Sequence, residues 1–297
     1  MKNIIIVTGG AGFVGSNLIH LLLKKTNKKI ISLDNYSSGL KKNHIKNHRV
    51  KYLMGSTLEM EKKFSKHKKN IHSVFHFGEF SRIYQSFKNF DECYKSNSIG
   101  TNAVFKFCLE NKIRLIYSAT SATLGNKGND KNLSPYAFTK SKNLEQLENL
   151  KKWFNFKFEV IYFYNVYGPG HIKKGNMATV IGIFEDQFKN KKPLTVVRPG
   201  NQSRRFTHIN DTTEVCYEAW KKNKHAHYSI SHKKSYTILE VAKMFKSRIT
   251  YLKKRPGERY ASALTKISLN NKVFRRFGKI NLKDYISSFI KGKIYEN

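Results

Sequence analysis

The sequence predicts an α/β protein: a doubly wound parallel sheet followed by a smaller C-terminal lobe. Three observations predict it. Apolar runs near 3–7, 29–33, 50–54, 73–77, 113–118 and 158–163 alternate with helical stretches near 13–25, 58–66, 96–111 and 136–153. That alternation builds a parallel sheet covered by helices on both faces. The first run, Ile4-Ile5-Ile6-Val7, is apolar throughout, as a strand buried on both faces is. It passes directly into a glycine-rich turn, Thr8-Gly9-Gly10-Ala11-Gly12-Phe13-Val14-Gly15.

The turn carries the first chemistry. Glycines at 9, 12 and 15 let the backbone bend sharply, approach a pyrophosphate and pack helix on strand. The following helix offers free N–H groups and the positive end of its dipole to phosphates. About twenty residues on, Ile31-Ser32-Leu33-Asp34 ends in an acid. An acid there bonds both ribose hydroxyls of NAD and repels a 2′-phosphate. The expected cofactor is therefore NAD, with Gly9, Gly12, Phe13, Val14, Gly15, Asp34 and Asn35 around it.

Beyond Pro169 the pattern changes. Gly, Pro and Asn interrupt it, with short strands expected near 194–197 and 205–209 and helices near 176–189, 211–222 and 237–247. The expected organisation is a cofactor domain over 1–169, rejoined by 205–222. A smaller substrate lobe is expected from 170–204 and 223–297.

The chain has 297 residues, enough for a full core. No apolar run reaches a membrane span, and the early glycine turn cuts short any secretory signal. Three scattered cysteines, Cys93, Cys108 and Cys216, suggest neither a metal nor a disulfide framework, which fits the cytoplasm. Lys and Arg total 56 against 20 Asp and Glu, a net charge of +36. Such a field draws polyanions. The lysines are nevertheless spread along the chain instead of gathered in an arm, so nucleic acid is not the favoured partner.

Ser134-Pro135-Tyr136-Ala137-Phe138-Thr139-Lys140 contains Tyr-x-x-x-Lys behind a proline suited to a first helical turn. Residues four apart share a helix face, so the ammonium reaches the region of the phenol. A tyrosine acting as a base near neutrality needs its pKa lowered by roughly three units, about 4 kcal/mol. The lysine and a cationic nicotinamide ring are the expected sources. The run 113–118 ends in Ser118-Ala119-Thr120-Ser121-Ala122-Thr123-Leu124-Gly125, a hydroxyl-rich strand end at the same edge.

With these motifs the chain resembles the extended short-chain dehydrogenase/reductase family, in its nucleotide-sugar epimerase branch, over nearly the whole length. The resemblance implies a Rossmann-like fold, bound NAD and a homodimer formed through the helices near 96–111 and 136–153. It implies a catalytic triad: Thr120 orients the sugar hydroxyl, Tyr136 is the base, and Lys140 holds the NAD ribose and lowers the phenol pKa. Ser56, Thr57, Phe77, Gly78, Asn97, Ser118 and Phe163 fall at cofactor-cleft positions. Asn165, in Asn165-Val166-Tyr167-Gly168-Pro169, matches a phosphate-binding signature. Arg204 matches an arginine ahead of a strand, and Arg255 and Glu258 match a diphosphate clamp with its ribose acid. Arginine's planar fork suits such bidentate contacts.

Departures from the family pattern mark the sugar pocket. Glu79 replaces a small residue, and Ser81 and Arg82 follow it; all three are expected at the substrate. Members that eliminate water place Asp and Glu directly after the triad hydroxyl, and Ser121 and Ala122 stand there instead. Elimination needs such an acid/base pair, so epimerisation of a nucleotide sugar, most simply a UDP-hexose at C4, is the expected reaction. Gly175-Asn176-Met177-Ala178-Thr179-Val180 is similar to heptose C6 epimerases, which remain an alternative. A dehydratase, a reductase, or a noncatalytic nucleic-acid-binding protein on the same fold are the others.

Overall fold

The computed structural model describes residues 2–257 and 273–293. Among them the strands are β1 (Ile4–Thr8), β2 (Lys29–Asp34), β3 (Val50–Met54), β4 (Ile71–His76), β5 (Arg114–Thr120), β6 (Phe158–Phe163), β7 (Asn165–Tyr167), β8 (Leu194–Val197), β9 (Ser203–His208), β10 (His227–Ser231), β11 (Ser235–Thr237), β12 (Ile249–Leu252) and β13 (Val273–Phe277). The helices are α1 (Phe13–Lys25), α2 (Met60–Phe64), α3 (Ile83–Lys88), α4 (Phe90–Tyr94), α5 (Thr101–Glu110), α6 (Pro135–Phe154), α7 (Val180–Lys189), α8 (Ile209–Lys222), α9 (Ile238–Met244) and α10 (Leu282–Ile290).

Eight strands form one sheet, ordered β13-β10-β6-β5-β4-β1-β2-β3, with every pairing parallel. The order reverses between β1 and β4, and a crevice opens outside the strands' C-terminal ends at such a reversal. Strand side chains alternate between two cores. Ile6, Val74, Leu115 and Tyr117 pack under α2, α5 and α6 with Phe64, Phe105 and Leu147. Ile5, Val7, Phe75 and Ile116 pack under α1 and α8 with Leu18, Leu22, Val215 and Cys216. Pinned from both faces, the strand ends hold the turns above them in place.

A third core joins α7, α9 and α10 with β7, β8, β9 and β11 through Phe184, Phe245, Phe289 and Tyr167. It belongs to a small layer made of the three-stranded β11-β9-β7 and the two-stranded β12-β8. The described part of 223–297, expected wholly in the smaller lobe, divides between the main sheet and the smaller layer. β10 and β13 extend the main sheet beyond β6. The reason is visible in β10: all five of its residues are buried, as a strand covered on both faces requires.

The helix near 96–111 begins earlier than expected and changes pitch. A π-helical segment, Lys95–Gly100, joins α4 to α5. Such bulges re-aim side chains within a helix, and here Asn97 and Gly100 turn inward and are buried. α6 starts as expected from its sequence: Ser134 caps it by accepting from the Ala137 N–H at 3.1 Å, with Pro135 in the first turn.

Candidate active site

The site is assembled at the C-terminal edge, beginning with the glycine turn between β1 and α1. Gly9 has φ +70°, and a Cβ there would lie 2.8 Å from the Gly78 amide nitrogen. A Cβ on Gly15 would fall 2.1 Å from the Gly9 carbonyl oxygen. Only glycine permits this cradle. Gly12 caps α1, whose first-turn amides at Phe13 and Val14 have no acceptor within the helix. The Asp34 carboxylate lies against the turn, accepting from the Ala11 N–H at 2.9 Å and the Tyr36 N–H at 2.8 Å. A glycine cradle, a helix start and a fixed acid at the end of β2 fit the pyrophosphate and ribose of NAD. Gly15→Ala must spread the turn, and is expected to weaken NAD binding at least about tenfold in calorimetry.

The other cofactor-cleft residues fall into two groups. Phe77 and Phe163 meet edge-on with ring centroids 5.4 Å apart above the β4 and β6 ends. Asn35 is exposed and accepts from the Ser37 N–H at 3.1 Å. Ser56 caps the turn after β3, accepting from the Leu58 N–H at 3.3 Å, with Thr57 buried beside it. Two expectations need correction. Asn97 is fully buried, and its amide clamps the Phe80 backbone: its oxygen accepts from the Phe80 N–H at 2.6 Å and its nitrogen donates to the Phe80 carbonyl at 3.0 Å. The π segment points it there instead of into the cleft. The Ser118 hydroxyl likewise points inward, donating to the His76 carbonyl at 2.9 Å.

Beneath the cleft a hydrogen-bonded chain links β1 to α6. The Thr8 oxygen accepts from the Phe77 and Gly78 amides at 3.1 and 3.0 Å, so its hydrogen is left for His76 Nδ1 at 2.8 Å. That assigns the ring proton to Nε2, which donates to the Thr101 hydroxyl at 2.9 Å. Thr101 in turn donates to Glu79 at 3.0 Å. Burial pushes the His76 pKa down to about 4, so this ring is neutral. Its unfolded value lies near 6.5. Between those values the unfolded chain binds more protons, so this contribution to stability is complete above about pH 6.5 and is lost as pH falls toward 4. Denaturant titrations should show a flatter dependence on pH over that window in His76→Gln than in the unsubstituted chain.

Thr120 and Tyr136 lie together at the sheet edge, and Lys140 follows one helical turn along. Thr120 ends β5, and its hydroxyl is near enough to the Tyr136 phenol on the first turn of α6 to lower the phenol's pKa. Lys140, one turn further along, is 3% exposed and donates to the Ser118 carbonyl. The phenol's state differs from the expectation. Burial pushes its pKa up to about 12; the Thr120 hydroxyl opposes this, Glu79 adds to it and Arg82 lowers it. The Lys140 ammonium is paired with a carboxylate.

The partner is Glu79, which was expected in the sugar pocket. It lies under the triad, ion-paired with Lys140, both side chains almost fully buried. It also accepts from the Tyr117 hydroxyl at 3.1 Å and the Asn143 amide at 3.2 Å. Tyr117 and Asn143 were not singled out in the sequence. Asn143 had a signal, standing three residues after Lys140 on the same helix face.

Arg82 sits close enough to Tyr136 for each to shift the other's pKa. Its Nε donates to the Met177 carbonyl at 2.9 Å, fastening the 175–179 loop beside the site. Ser81, next to it, is exposed. The phosphate-side residues are less gathered. Asn165 donates to the Arg205 carbonyl at 3.0 Å, joining β7 to β9. Arg204 is buried on β9 and donates to the Ser203 carbonyl at 2.9 Å. The Arg255 guanidinium stacks 4.9 Å over the Tyr84 ring of α3. Glu258 lies outside the described residues.

A sequence model of the NAD dependent epimerase/dehydratase family matches residues 5–231, which include the glycine turn, Asp34 and the whole triad. The chain belongs to this family. NAD is the cofactor the family's description names, and the cradle described above fits it. Among curated relatives, ADP-L-glycero-D-manno-heptose-6-epimerase of Brachyspira hyodysenteriae is 30% identical over 227 residues, 71% of this chain and 70% of its own length. The fold matches UDP-glucose 4-epimerase from Thermotoga maritima with a TM-score of 0.84, 21% identity and 97% of each chain covered. It also matches UDP-glucuronic acid 4-epimerase from Bacillus cereus, in complex with UDP-glucuronic acid and NAD, with a TM-score of 0.81 and 24% identity, covering 97% of this chain and 99% of that one.

Among the described residues no helix is long and apolar enough to cross a membrane, and no His, Cys, Asp and Glu cluster of three or more is arranged to hold a metal ion.

Proposed function

We propose that this protein epimerises a nucleotide sugar, a UDP-hexose at C4, through a transient 4-keto sugar. The observation that carries the reading is Thr120 beside the Tyr136 phenol at the sheet edge with Lys140 one helical turn along, and Ser121 and Ala122 after Thr120 where elimination would need carboxyl groups. NAD, when bound, supplies reversible hydride acceptance. Tyr136 takes the proton of the sugar hydroxyl being oxidised and returns it after the sugar has turned. The Thr120 hydroxyl orients that sugar oxygen, and Lys140, one helical turn along, is the residue that would hold the cofactor ribose. The buried walls around the triad exclude water that would compete for the proton.

A heptose C6 epimerase is the second reading, favoured by the 30% identical relative and by the loop around Met177-Ala178-Thr179 that Arg82 fastens. The protein is also proposed to be a homodimer. Ile99 and Phe138 are 52 and 41% exposed on the helices expected to meet a second copy, and Phe90 and Tyr94, 54 and 45% exposed, lie on α4 just ahead of the first of them.

The test is product analysis by NMR. Purified protein supplied with NAD is given UDP-glucose, UDP-galactose, their N-acetyl forms, UDP-glucuronic acid and an ADP-heptose. C4 epimers from a UDP-sugar support the proposal, and a C6 epimer of the heptose alone replaces it with the second reading. No turnover across the panel overturns both.

A further inference from the structure

We infer that Glu79 is a positioning residue of this site: its buried carboxylate holds the Lys140 ammonium in place and keeps the Tyr136 phenol from ionising before cofactor is bound. The inference rests on the reading of Tyr136 as the base. Glu79 follows β4 by only three residues, in a chain where acids are outnumbered by 56 to 20. Its side chain is 2% exposed and that of Lys140 is 4% exposed. A buried carboxylate stays ionised only when it is paired and hydrogen-bonded. Glu79 meets both conditions: Lys140 on one oxygen, and Thr101, Tyr117 and Asn143 donating to the other at 3.0, 3.1 and 3.2 Å.

This arrangement holds the ammonium from three directions. Glu79 approaches it from the β4 end, the Ser118 carbonyl from β5, and the Tyr117 ring lies 4.6 Å beneath it. The arrangement also sets the electrostatics one helical turn away. An unpaired lysine favours phenolate, whereas an adjacent carboxylate opposes it. The other groups facing Glu79 are Tyr117 on β5, Cys93 on α4, His76 on β4 and Tyr136 on α6. His76 is neutral, and burial raises the pKa of Cys93 and Tyr117, so those two are neutral as well. Arg82 is the cation that opposes Glu79 at the phenol. Glu79 is thus the negative charge that adds to burial in opposing phenolate.

The experiment is a pH titration of NAD-free protein labelled with [13Cζ]tyrosine, the Tyr136 resonance being assigned by its loss in Tyr136→Phe. At pH 10.5 the unsubstituted chain should show under about a twentieth of the shift toward phenolate, and Glu79→Gln at least about a fifth. Glu79→Asp retains the charge but withdraws it by one methylene. It should move the resonance the same way by less, and it serves if the glutamine variant does not fold. A Tyr136 titration unchanged in the variants overturns the inference. Turnover gives a separate readout: the acid limb of kcat should move to lower pH in Glu79→Gln with KM for the sugar little altered. If the unsubstituted protein turns over no nucleotide sugar, the function reading fails, and the NMR titration still decides for or against Glu79.

Discussion

Tyr136→Phe is expected to lower turnover by about 10²–10⁴-fold, the range for loss of a positioned acid/base group, with little change in fold or NAD affinity. The variant removes one oxygen from a side chain that is 8% exposed and otherwise packed as an apolar ring. The Thr120 hydroxyl beside it accepts from the Ala122 N–H at 3.2 Å and so keeps its place without the phenol. Circular dichroism and NAD calorimetry check that fold and cofactor site survive, and steady-state kinetics measure the loss. Turnover within threefold of the unsubstituted enzyme would remove Tyr136 from the chemistry.

Lys140→Met should be the most destabilising single substitution at the site. It leaves the Glu79 carboxylate buried without its counter-ion, a change that costs about 3–5 kcal/mol at buried pairs. Urea denaturation measures it directly. Because a neutral pair of similar volume avoids the uncompensated charge, Glu79→Gln combined with Lys140→Met should recover most of that loss. Additive losses in the double variant would mean that the two side chains do not act as a pair. Activity should be lost in both, since neither retains the ammonium.

Much of this was legible in the residues because local rules coincide with the global fold. Ile4-Ile5-Ile6-Val7 reads as a two-sided strand and is one. Gly9 and Gly15 read as positions where no Cβ fits, and the distances in the turn give the reason. Ser134-Pro135 marks the start of α6, so Tyr136 and Lys140 fall one turn apart at the sheet edge as their spacing requires. What was not legible depends on contacts between segments distant in sequence. Glu79 and Lys140 are 61 residues apart, and no periodicity links them. A Glu in place of a small residue after β4 looked like a pocket substitution, because in sequence it neighbours Arg82 and not Lys140. Asn97 was misplaced because a π segment, which has no sequence signature of the strength of a cap, rotates it by part of a turn. The smaller lobe is less extensive than the sequence suggests because β10 and β13 are strands of only five residues, so their place in the main sheet rests on pairing with β6 and with each other.

The most direct test of the central claim follows the hydrogen at C4. A nucleotide sugar deuterated at C4 is incubated with the NAD-loaded protein, and the epimer is examined by NMR. Oxidation and return at one carbon within a closed site predict an inverted C4 that still carries its deuterium. An absent epimer, or an epimer whose deuterium has been replaced by solvent hydrogen, would contradict it.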